Sequence, residues 1–204
     1  MNFDIWNFLK ISINYGLPIL FILALIVVWN LINWYPGKFW MFNFYSVLRK
    51  DAPSDKDLDT LFPHLPPHPG WKGRWTLEGI DSNGNGVRDD IERYIYRLSP
   101  DSEVLRKALM QFAKATQERM LNTHNRSISI ELTTKMLRAQ SCITAVHWKY
   151  DLKNTGGSFI DMDLYWKINN TQARVDASWK ADQNFSGQVY SMPHNLEDAC
   201  DFEV

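Results

Sequence analysis

The stretch GIDSNGNGVRDDIERYI, residues 79–95, packs two Asn-Gly pairs, four acidic side chains and the start of an apolar stripe into seventeen positions. It can be read in two ways, and each implies a different fold. Asn-Gly is the strongest short-range signal for a type I′ hairpin turn, which would make this part of the chain β. A hairpin needs alternating strands on both sides. Here the downstream flank places Ile91, Tyr94, Ile95 and Leu98 at i, i+3, i+4 and i+7, the spacing of an amphipathic helix. The stretch is therefore a loop feeding a helix, and the fold class is mainly α.

The loop Asp81-Ser82-Asn83-Gly84-Asn85-Gly86-Val87-Arg88-Asp89-Asp90-Ile91-Glu92 matches the pattern D-x-[DN]-x-[DN]-G-x5-E at every specified position. Each position has a physical task. Asp81, Asn83 and Asn85 send alternate side-chain oxygens toward one point, and Gly86 supplies the sharp turn. The Val87 carbonyl adds a backbone oxygen, Asp89 reaches in through water, and Glu92 closes the site from the first turn of the helix. Carboxylates at a helix N-terminus are favourable in any case, which accounts for Asp89 and Asp90 without a ligand. It does not account for Asp81, Gly86 and Glu92 at these offsets. The candidate ligands are therefore Asp81, Asn83, Asn85, Val87, Asp89 and Glu92, and the candidate ion is Ca2+.

These twelve residues resemble the EF-hand calcium loop, and the resemblance extends no further. Position 8 of that family is usually an aliphatic residue that pairs two loops through a short β-bridge; here it is Arg88. The segment PGWKGRWTLEG, residues 69–79, is too rich in Gly and Pro for the usual entering helix. The resemblance is thus to a single loop-helix module of the kind found in bacterial extracellular proteins. The wider context is similar to exported, membrane-anchored bacterial proteins of unassigned function. With Asn at positions 3 and 5, and Arg88 offsetting part of the charge, it implies weak binding, roughly 10⁻⁴–10⁻³ M.

Upstream, no charged residue occurs between Lys10 and Lys38, and residues 16–35 are almost wholly apolar. A bilayer core takes about 20 such residues in a helix. Trp29, Trp34, Tyr35, Phe39, Trp40, Phe42, Phe44 and Tyr45 suit a membrane–water interface. No cleavage site follows, so residues 1–50 are expected to be a retained transmembrane anchor with an interfacial aromatic segment. Residues 51–73, rich in Pro, Asp and Gly, read as an extended spacer without regular helix. Residues 74–204 form a small helical calcium-loop domain with a C-terminal tail from about Met192. Past Lys50, 18 basic residues face 22 acidic ones, a net charge of −4, which gives no electrostatic basis for binding nucleic acid.

Three helices are expected in the first part of the domain. The first stops near Ser99, and the second runs from about Asp101 with Leu105, Leu109, Phe112, Thr116 and Met120 in one stripe. The third spans about Ser129 to Tyr150 with Leu132, Met136, Ala139, Ile143, Val146 and Tyr150. Residues 158–168 suit a strand or a helix equally. Residues 170–187 read as a capped helix stopped by Gly187. Cys142 and Cys200 are a disulfide candidate, although two buried free thiols fit the sequence as well.

Cations flanking the apolar run would keep the domain in the cytoplasm. A weak calcium loop and a disulfide favour the opposite, a single-pass protein of the inner (cytoplasmic) membrane with a periplasmic domain. No catalytic signature is present. His64 and His68 fall in a Pro-broken segment, Asp161 and Asp163 read as a solvated face, and Cys142 with His147 lacks an orienting third group. Trp71, Trp75, Trp148, Trp166 and Trp179 exceed the needs of a small core. The function expected is a calcium-stabilised binding, scaffold or immunity-type module with a protein partner. The alternative is a calcium-dependent membrane-anchored hydrolase.

Overall fold

The structure is a computed structural model, and it describes residues 52–150 and 160–204. The apolar run and its aromatic flank, residues 16–45, lie outside the described residues. Among those described, no helix is long and apolar enough to cross a membrane.

The domain is helical, as the periodicity requires. Helix α1, Asp55–Leu61, is a correction to the extended spacer. Pro53 and Pro63 bracket seven residues that contain no proline, and Ser54 and Asp57 form a reciprocal capping box at their start. Nor does this segment stand clear of the domain. Leu58 is fully buried, and Arg93 of the next helix donates to the carbonyls of Asp55 and Pro66 and pairs with Asp59 at 2.7 Å. Phe62 meets Tyr96 edge to face, with ring centroids 4.8 Å apart. A 3₁₀ turn, Gly70–Arg74, carries the chain toward the loop.

Helix α2, Asp89–Leu98, buries Ile91, Ile95 and Leu98. Helix α3, Glu103–Leu121, is capped by Ser102 and buries every residue of its expected stripe. Helix α4, Arg126–Lys149, starts three residues before Ser129 because Asn125 supplies the cap, accepting from Ile128 N at 3.2 Å. Its stripe is buried as far as Val146, whereas Tyr150 is 46% exposed just past its end. The short connection between α3 and α4 makes them a helical hairpin, the largest helix–helix contact of the domain.

Helix α5, Ile160–Ile168, resolves the strand-or-helix ambiguity: Ile160, Leu164 and Ile168, one turn apart, are all fully buried. Helix α6, Gln172–Phe185, begins at Thr171, which accepts from Arg174 N, and ends before Gly187 at φ 81°. The face that α6 buries carries Arg174, Ser178 and Ala181, so it packs polar and small rather than apolar side chains. The tail ends in a 3₁₀ turn, Leu196–Ala199, held against α3 and α4. Gln111 brackets it by donating to Ala199 O and accepting from Asp201 N. Cys142 and Cys200 are joined, with Cα atoms 4.9 Å apart.

Candidate metal centre

The loop of residues 81–92 is wound around its own side chains. Asp81 accepts through Oδ1 from Gly84 N at 2.9 Å and Asn85 N at 3.2 Å, and through Oδ2 from Gly86 N at 2.8 Å. Three successive backbone N–H groups aimed at one carboxylate bend the chain tightly. Gly84 and Gly86 absorb that bend at φ 69° and 86°, where a Cβ would be strained. The Asn83 Oδ1 accepts from Asn85 N, and the Asn85 Oδ1 accepts from Val87 N. These turns tie the side chains at positions 1, 3 and 5 to the loop's own backbone.

The far end closes on Glu92. Its Oε2 accepts from the side-chain amides of Asn83 and Asn85, each at 3.0 Å. Asn85 therefore bonds to both ends of the loop, to Asp81 through its backbone and to Glu92 through its side chain. Asp89 accepts from Ser82 N, and its own N–H donates to Ile80 O, stitching the loop's entry to the helix start. Val87 is buried, and Gln117 of α3 touches the loop on both sides of it.

Charge is the unusual feature. Asp89 is 1% exposed and Glu92 5%, yet among the described residues neither they nor Asp81 join an ion pair. A buried carboxylate held only by neutral donors is costly. Arg88 does not supply the missing charge. Its guanidinium turns away, bonding Asp90 through Nε and Nη2 and the Ile168 carbonyl through Nη1. This corrects the expectation that Arg88 offsets the loop's charge. Among the described residues, no three His, Cys, Asp or Glu side chains cluster as a metal-binding group. The loop's candidate set is of another kind: three carboxylates that do not cluster here, two side-chain amides and a backbone carbonyl. An all-oxygen set suits a hard cation such as calcium. The donor types suit that ion, while in this structure both amides turn oxygen to backbone N–H groups and nitrogen to Glu92.

Other candidate residues have plainer roles. Cys142 is bonded to Cys200, so it offers no thiolate to His147. His64 bonds Tyr96, and His68 accepts from Gly70 N. Asp163 is a correction to the solvated face: it is part-buried against the Tyr94 hydroxyl, and burial pushes its carboxyl above the usual range. Asp161 bonds Gln140. Trp71, Trp75, Trp148 and Trp179 are all more than 60% exposed.

Three buried arginines among the described residues, Arg93, Arg119 and Arg174, carry no mark in the sequence, and the burial of Arg88 carries none either. Nothing in their spacing marks them, since each answers carbonyls or carboxylates distant in the chain. Fold and site define a helical domain with a polar, internally hydrogen-bonded loop at a helix N-terminus. No protein-family model, curated protein or solved structure matches the chain.

Proposed function

We propose that this is a calcium-binding, membrane-anchored interaction module whose ion is structural. One observation carries the reading: Asp89 and Glu92 are buried carboxylates at the loop's far end, and among the described residues neither is in an ion pair. A dication held by Asp81, Asn83, Asn85, the Val87 carbonyl, Asp89 and Glu92 would supply the neutralising charge. It would tie the loop's entry to α2 and stabilise the domain by binding only the folded state.

The apolar run of residues 16–35 supports a single-pass anchor. The Cys142–Cys200 pairing supports an extracytoplasmic domain, where disulfides persist and calcium is abundant. Exposed Trp71, Trp75, Trp148 and Trp179 support a protein partner, since tryptophan is enriched at interfaces.

The test is thermal unfolding of the full chain in detergent, with chelator and with millimolar calcium. Calcium at about ten times its Kd should add about 1.4 kcal/mol, raising the Tm by roughly 3–5 °C. Glu92→Gln should abolish the shift. A wild-type melting curve indifferent to calcium would overturn the reading.

A further inference from the structure

We infer that Gln117 is a positioning residue for calcium. Its side-chain amide, projecting from α3, orients the Val87 carbonyl toward the ion and takes the place of a second paired loop. The inference rests on the calcium reading of residues 81–92.

Gln117 is 6% exposed. Its Nε2 donates to Gly86 O at 2.9 Å, and its Oε1 accepts from Arg88 N at 3.2 Å. One amide thus engages the backbone on both sides of Val87, much as a neighbouring strand would. The bond to Arg88 N carries the consequence. Arg88 N–H belongs to the same peptide unit as the Val87 carbonyl, and that unit is planar and trans, with N–H and C=O pointing in opposite directions. Fixing the N–H on Gln117 therefore turns the carbonyl to the side away from α3. The neighbouring groups are fixed as well: Val87 N donates to Asn85 Oδ1, and Gly86 N to Asp81 Oδ2.

Loop-to-loop pairing is replaced at the same place. Arg88, at the position where two such loops would meet, is 1% exposed and committed to Asp90 and the Ile168 carbonyl. With Gln117 on its backbone, the loop is complete within one chain. One calcium per chain follows, with no second copy required.

Titration calorimetry with calcium chloride on the full chain in detergent tests this. Gln117→Leu should weaken calcium binding about tenfold, the scale of one buried hydrogen bond, at an unchanged stoichiometry of one. Gln117→Asn keeps the amide but withdraws it by one methylene, and should weaken binding in the same direction if the leucine variant does not fold. A residue that merely fastens the loop to α3 would lower the melting temperature in chelator and leave the Kd alone. Wild-type affinity in a folded variant therefore overturns the inference. Absence of calcium binding by the wild type would instead overturn the reading on which it rests.

Discussion

Arg88 and Asp90 form the most consequential pair at the level of single residues. Their side chains are 1% and 12% exposed and meet at 2.9 Å. Burial alone would push the Asp90 carboxyl up. The hydrogen bond and charge of Arg88, with Arg174 and Lys167 beyond, outweigh it and hold the group below its ordinary value. A carboxyl depressed in the folded state stabilises above its unfolded pKa, about 3.9, and loses that contribution as pH falls through the folded value. Wild-type stability should therefore decline below about pH 4. Asp90→Asn should cost about 3 kcal/mol at pH 7, because it leaves Arg88 buried without its charge partner. Its acid limb should be shallower, as urea midpoints across pH 3–7 would reveal. The sequence shows Arg88 where the resembled loop usually has an aliphatic residue, but not the direction of its side chain. That direction is set by the Ile168 carbonyl at the end of α5, eighty residues away.

Whole elements divide into those with a local signal and those without. Helices α2, α3 and α4 are legible because their apolar residues recur with the helical period, although the Asn125 cap starts α4 three residues early. Helix α1 was hidden by prolines that bracket it without entering it. Helix α6 has a readable cap but buries an arginine, which no hydrophobic pattern marks. That arginine explains how the irregular stretch before the loop is held. Arg174 donates to the carbonyls of Gly73, Thr76 and Leu77, which have no ladder to join. Burial lowers its pKa to about 10, so it stays cationic at neutral pH. Five donors in a fixed plane let one guanidinium serve several carbonyls. Arg174→Met keeps most of the buried bulk but strands those acceptors, and should cost about 3 kcal/mol. Hydrogen exchange should localise the loosening to residues 73–79, with α3 and α4 still protected. A global loss of protection would show instead that Arg174 supports the entire core.

For the molecule as a whole, the decisive link is the one that brings the tail home. Residues 188–195 form no regular element and expose Val189 and Met192, yet Ala199 is fully buried and Cys200 is bonded to α4. The polar clasps around it, Gln111 on Ala199 and Asp201 and Arg138 on Asp201, lie partly in solvent and contribute little alone. The disulfide closes a separation of 58 residues, which in the chain-entropy account is worth about 4 kcal/mol. Two cysteines at that distance were visible in the sequence. Their pairing was not, since it depends on α4 and the final turn meeting in space. Reduction, or Cys200→Ser, should thus lower stability by about 2–4 kcal/mol and release residues 188–204 to rapid hydrogen exchange. Cys142→Ser should have the same effect, and the double variant should add nothing further, because all three remove one bond. The same bond reports on topology. If the domain lies outside the cytoplasm, protein taken from membranes and alkylated before lysis should run as the oxidised form and resist thiol labelling until reduced. Two freely labelled thiols in native membranes would place the domain in a reducing compartment. There the proposed calcium site would stay empty, and the extracytoplasmic part of the proposal would fall.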